Sequence, residues 1–149
     1  MKALTILQPF AELIVADANT LPPHQSPKRI ENRNWPTDFR GDFVIHAGKS
    51  TNLLFGTNWP TSEYAVTLGA AVGIATLADC IAIERIKARD PVIEQRFPWL
   101  FDHPHAIGRY CFVLEHVRRF VTPIAIVGKL GWWEVRDDLI TSKAVKVTQ

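Results

Sequence analysis

The sequence predicts a small α+β domain, mainly antiparallel β and closing toward a barrel, with one N-terminal helix and short peripheral helices. Three observations predict it. Five or six short β-leaning runs follow one another without the strand–helix–strand rhythm of a parallel sheet. Glycines interrupt these runs where a small barrel has to bend. Only the segment after Pro9 carries apolar residues at clear helical spacing.

Taken in order, Lys2 to Leu7 is short, β-leaning and stopped by Pro9. Phe10, Leu13 and Ile14 then recur at helical spacing, with proline in the first turn where its missing N–H costs nothing, and the helix is expected to end near Asp17 or Ala18. The stretch NTLPPHQSP is a loop by its prolines and small polar residues. Lys28 to Asn34 reads as a strand ended by Trp35-Pro36, and Gly41 opens a second strand, DFVIHA. Residues 50–64 read as loop, with a helical turn expected near Ser62 to Val66. Ala70 to Ile83 is a long strand with Gly73 as a bend. A charged, irregular stretch follows, with a short helix expected around Val92 to Phe97. Tyr110 to Phe120 is a long strand and Ile124 to Val127 a separate short one. GKLGWW is expected to turn into a helical or irregular segment, and Ile140 to Thr148 is a last strand or a loose tail.

The 149 residues suit one domain, expected to span 1–149, and are enough to bury a core. A charge of +2 permits phosphate contact without demanding it, because dedicated nucleic-acid modules are usually more basic. Cys80 and Cys111 lie in apolar runs without CxxC spacing, which reads as buried reduced thiols in a cytoplasmic protein. The N-terminal run is broken by Gln8, Pro9 and Glu12, so neither a signal peptide nor a membrane span is expected. There is no GxSxG, P-loop or GxGxxG, which withdraws support from serine hydrolases, nucleoside triphosphatases and dinucleotide enzymes. His103 and His105 form an HPH pair with no further ligand at a usual metal spacing, so no metal and no cofactor is expected.

The densest chemistry lies in KRIENRNW. Strand alternation would put Arg29, Glu31 and Arg33 on one face, although Lys28, directly after Pro27, need not follow it. Such a row is either a solvent-facing salt-bridge ladder of little energetic weight or a pocket floor reading a base edge or phosphate. Trp35 and the Trp132–Trp133 pair, beside turn signals, are the better candidates among five tryptophans for a stacking platform.

The stretch "LTILQPFAELIVA…KRIENRNWPTDFRGDFVIHAGK" resembles the ASCH family, named for the activating signal cointegrator homology domain. The matching positions are Gln8, Pro9, Phe10, Leu13, Ile14, Lys28, Glu31, Arg33, Trp35, Thr37, Arg40, Gly41, Ile45, His46 and Ala47, and GKLGWWEV is similar to the family's closing turn. The resemblance implies a PUA-like β-barrel with a cleft lined by the Lys28-x-x-Glu31-x-Arg33 segment. It implies RNA or a modified nucleoside as partner, with Lys28, Glu31, Arg33, Trp35, Arg40, His46, Lys129 and Trp132 as ligand-binding residues. The alternative it implies is a small enzyme on the same ligands, an acyl-cytidine amidohydrolase or a metal-assisted ribonuclease, with Lys28 and Glu31 as catalytic residues. The amidohydrolase type has Thr where this chain has Glu31, so its mechanism does not carry over, and DANTLPPHQSP replaces the family's short glycine turn.

Overall fold

A computed structural model describes residues 1–19, 21, 26–54, 67–141 and 145–147. The helical turn expected near Ser62 to Val66 and part of the NTLPPHQSP loop lie outside these residues. The strands are β1 (Lys2–Ile6), β2 (Ile30–Arg33), β3 (Gly41–Ala47), β4 (Ala70–Ala82), β5 (Tyr110–Ala125), β6 (Trp132–Glu134) and β7 (Val145–Val147). Their hydrogen-bonded order is β2-β5-β4-β3-β1-β6, with β7 on β5. Among the described residues no helix is long and apolar enough to cross a membrane.

The sheet is mixed. β1–β6, β2–β5 and β5–β7 pair antiparallel, but β1 pairs with β3 in parallel, Leu4 opposite Ile45. A parallel pair cannot be closed by a tight turn, and the long connection from residue 7 to residue 40 supplies the crossover.

The chain divides into two compact units. The first comprises Met1–Pro27, Asp42–Thr76 and His116–Gln149, and its core gathers Ala3, Val44, Ile74, Phe120, Trp133 and Ile140. Helix α1 (Phe10–Val15) starts after a cis Gln8–Pro9 bond and buries Leu13, Ile14 and Val15. It stops two residues short of expectation, with Ala16 already extended. Asp17 Oδ1 accepts the Asn19 N–H at 2.9 Å, a local turn that competes with helix continuation.

The second unit, Lys28–Gly41 with Leu77–Glu115, packs Ile30, Ile81, Ile86, Ile93, Phe97, Leu100 and Val113. Helix α3 (Pro91–Arg96) follows its sequence signal closely: Asp90 caps it by accepting the Val92 N–H at 2.9 Å, and Pro91 occupies the first turn. Helix α2 (Ile83–Lys87) stands where the strand was expected to finish, its N-cap Ala82 offering no side-chain signal. It ends on Arg89 at φ +51°, an unusual left-handed residue whose guanidinium rests 4.8 Å from the Phe101 ring centroid.

Three further expectations are corrected. The strands expected at Tyr110–Phe120 and Ile124–Val127 are one sixteen-residue strand, β5. Val121, Thr122 and Pro123 are exposed between buried Phe120 and Ile124, a setting that tolerates a proline without an N–H to offer. The segment expected to be helical or irregular after GKLG is β6, recruited by β1 from 130 residues away, with Ala3 opposite Trp133. The tail holds helix α4 (Asp137–Thr141) before β7.

Gly73, expected as a bend, is a close-approach site. A Cβ there would lie 2.5 Å from the Arg118 carbonyl oxygen and 3.0 Å from Val15 Cγ1. Backbone cannot step aside as a flexible side chain can, so Gly73→Ala should destabilise by about 1–3 kcal/mol. Urea unfolding of the variant beside wild type measures it, and an unchanged midpoint would refute the close approach.

Candidate functional site

In the second unit, β2 is short, and Lys28 precedes it. Freed from strand alternation, the Lys28 side chain reaches Glu31, and Nζ donates to Oε2 at 2.9 Å. Both groups are buried, with side-chain exposures of only 3% and 9%. On the other carboxylate oxygen, Arg33 Nε stands 3.6 Å from Oε1, beyond good hydrogen-bond reach but close enough for charge attraction. The Arg33 guanidinium also lies 5.9 Å from the Trp35 ring centroid, and Trp35 meets Phe112 edge-on at 5.4 Å. Phe112 is the residue of β5 paired with Glu31, so the ladder itself sets the rings beside the ion pair.

Two histidines that the sequence reading set aside complete this environment. Asn32 Nδ2 donates to the carbonyls of His105 at 2.6 Å and Ile107 at 2.8 Å, pinning the HPH loop to β2. His105 is half-buried; burial and the Lys28 charge lower its pKa against the opposing pull of Glu31. Burial, then His105, Lys28 and Arg29, lower that of His103. Both rings are therefore held neutral at pH 7. The local signal was the HPH motif, but its nearness to Lys28 is a tertiary fact. Among the described residues no group of three or more His, Cys, Asp or Glu side chains is placed to hold a metal ion. Cys111 on β5 is buried, which pushes its thiol up to about 11 and leaves it a poor nucleophile at neutral pH.

Arg40, in the same unit, is engaged elsewhere: it donates to Asp79 Oδ1 at 2.8 Å and to the carbonyls of Thr37 and Phe39. Arg96 holds the second Asp79 oxygen at 2.9 Å.

The remaining sequence candidates, His46, Lys129 and Trp132, belong to the first unit. His46 is 1% exposed and both its ring nitrogens are occupied. Trp133 Nε1–H donates to Thr5 Oγ1 at 3.1 Å, the Thr5 hydroxyl lies 3.2 Å from His46 Nδ1, and His46 Nε2 lies 2.7 Å from the Ile126 carbonyl. Because a carbonyl only accepts, Nε2 carries the proton and Nδ1 receives the hydroxyl. Gly128 makes room for this chain: a Cβ there would fall 2.5 Å from His46 Cε1 and 2.7 Å from Thr5 Oγ1. Trp132 is half-buried and edge-on to Phe43 at 5.3 Å, while Lys129 is exposed.

No family model and no curated protein matches the chain. Solved structures do. The crystal structure of the ASCH protein from Zymomonas mobilis matches with a TM-score of 0.53 at 14% identity, covering 96% of this chain and 95% of that one. The chain carries the ASCH fold. A tyrosine-to-phenylalanine mutant of the same Zymomonas mobilis protein matches with a TM-score of 0.54, again at 14% identity, covering 96% and 98%. This likeness makes the chain a small α+β ASCH fold, as its motifs implied.

Removing Lys28 would leave Glu31 buried without its closest cation. Lys28→Ala should therefore destabilise near the lower end of about 3–5 kcal/mol, because Arg33 still faces Glu31, whereas Lys28→Met with Glu31→Leu should come close to neutral. A chemical-denaturation double-mutant cycle reads the coupling, and additive losses would rule it out.

Burial lowers the His46 pKa below its ordinary 6.5, outweighing the Ile126 carbonyl that favours the charged ring, and Lys49 lowers it further. The unfolded chain then binds more protons than the folded one just below pH 6.5, so stability falls as pH drops through that value toward the folded-state pKa. His103 and His105 act in the same direction. Urea midpoints measured from pH 7.5 to 5 should decline, and less steeply in His46→Gln; parallel declines would acquit His46.

Proposed function

We propose that the chain binds RNA or a modified nucleoside through the site built by Lys28, Glu31, Arg33 and Trp35. The observation that carries this reading is the burial of Lys28 against Glu31 beside a guanidinium and two aromatic rings. Two buried charges are a poor way to stabilise a fold, since desolvation consumes most of the attraction. Apolar residues of similar size would serve packing at least as well, so the pair is better accounted for by recognition. The groups suit a nucleobase: a carboxylate accepts from an exocyclic amine or a ring N–H, a guanidinium donates to ring and carbonyl acceptors, and aromatic rings stack on any base. The ASCH fold and the KxxExR pattern on it support the same class of ligand.

The test is a titration against single-stranded RNAs and modified nucleosides at low salt. Binding is expected, and Arg33→Ala should weaken it by about 1–3 kcal/mol, the usual worth of a base-reading contact. The absence of measurable affinity for every member of such a panel would sink the proposal.

A further inference from the structure

Beyond the ion pair, the second unit holds a row of rings. Phe97, Trp99, His103 and His105 follow one another at centroid separations of 6.3, 5.4 and 5.6 Å. They run from Phe97, which caps a 3₁₀ turn, Pro98–Asp102, through the turn to the loop just after it. Phe97 is buried and closes the local core, but Trp99 leaves 39% of its surface to solvent. A tryptophan needed only for packing would turn inward beside Phe97 and Leu100, both of which are buried.

His103 has a defined proton. Its Nδ1 accepts the His105 N–H at 3.1 Å, so the neutral ring carries hydrogen on Nε2. That donor has no hydrogen-bond partner among the described residues. The charges of Lys28 and Arg29 reach His103, those of Lys28 and, in opposition, Glu31 reach His105, and Asn32 bonds the His105 carbonyl, so the row ends beside the ion-pair site.

We propose that Trp99 and His103 form a second subsite, which takes the nucleotide next to the one held at Lys28–Glu31–Arg33. Trp99 stacks on its base, and His103 Nε2–H donates to a phosphate oxygen between the two nucleotides. The ligand class is thereby narrowed to single-stranded oligonucleotides rather than free nucleosides. This rests on the binding function proposed above for the ion-pair site, and adds a length requirement that that reading does not contain.

The experiment compares a fluorescently labelled oligouridine with unlabelled uridine monophosphate as competitor, using the full chain. Wild type should prefer the oligonucleotide. Trp99→Ala should lower oligouridine affinity about 5- to 150-fold, the range of one lost base stack. It should leave the monophosphate affinity within about twofold, whereas Trp99→Phe, which keeps a ring, should restore most of the loss. His103→Phe keeps the ring row but removes the donor, and should weaken oligouridine more than the monophosphate. Circular dichroism of each variant checks folding; if Trp99→Ala unfolds, the His103→Phe and Trp99→Phe comparison decides. Equal weakening of both probes, or of neither, overturns the second subsite while the ion-pair site stands. Wild type binding both probes equally does the same. Wild type binding neither overturns the second subsite, and the ion-pair site falls with it only when the whole panel of RNAs and modified nucleosides fails as well.

Discussion

A lysine and a glutamate buried against one another constrain the second unit more than any other contact. Each charge taken from water must be compensated by geometry, and the compensation here comes from several elements. The chain entering β2 brings Lys28 within 2.9 Å of Glu31, Arg33 supports the second oxygen, and β5 lays Phe112 alongside. Asn32 then ties down the HPH loop, which brings two neutral imidazoles toward the same charges. Loosening any of these admits water or strands a charge.

The first unit handles a buried polar group by the opposite route. His46 is kept neutral and given a partner at each nitrogen, in a chain running from Trp133 through Thr5 to Ile126. Gly128 is the steric condition for that chain, because any side chain would occupy the space of the imidazole. A histidine so enclosed orders three strands and a turn, and offers little to a ligand. The second unit thus buries a charged pair, while the first holds, besides its own Glu12–Arg119 ion pair, a neutral structural relay.

The functional proposals follow the same division. A site built from a buried ion pair, a guanidinium and aromatic rings favours a planar ligand with donors and acceptors on its edge. The adjoining ring row extends this preference along a strand, since the groups that follow are again a stacking surface and a phosphate-suited donor. Arg40, which the resemblance adds to the ligand set, shares Asp79 with Arg96.

Local order was legible wherever its cause lay within a few residues. The short helix expected around Val92 to Phe97 is α3, the apolar runs announced β1, β3 and β4, and the KxxExRxW pattern marked Lys28, Glu31, Arg33 and Trp35 as neighbours. The ASCH fold itself was readable from those motifs, as the Zymomonas mobilis structures bear out. What depended on distant partners was not readable. β6 became a strand because β1 needed an edge partner, β5 ran on through Pro123 because that proline faces outward, and β1 paired in parallel with β3 across a long crossover. The HPH loop joined the ion-pair site for the same reason, through an Asn32 bond spanning 73 residues. Sequence by itself determined which residues carry chemistry and which backbone each short stretch prefers, since those are properties of side chains and nearby dihedrals. Only the tertiary structure decided which of them share a site, because burial and long-range pairing are free-energy terms that no local window contains.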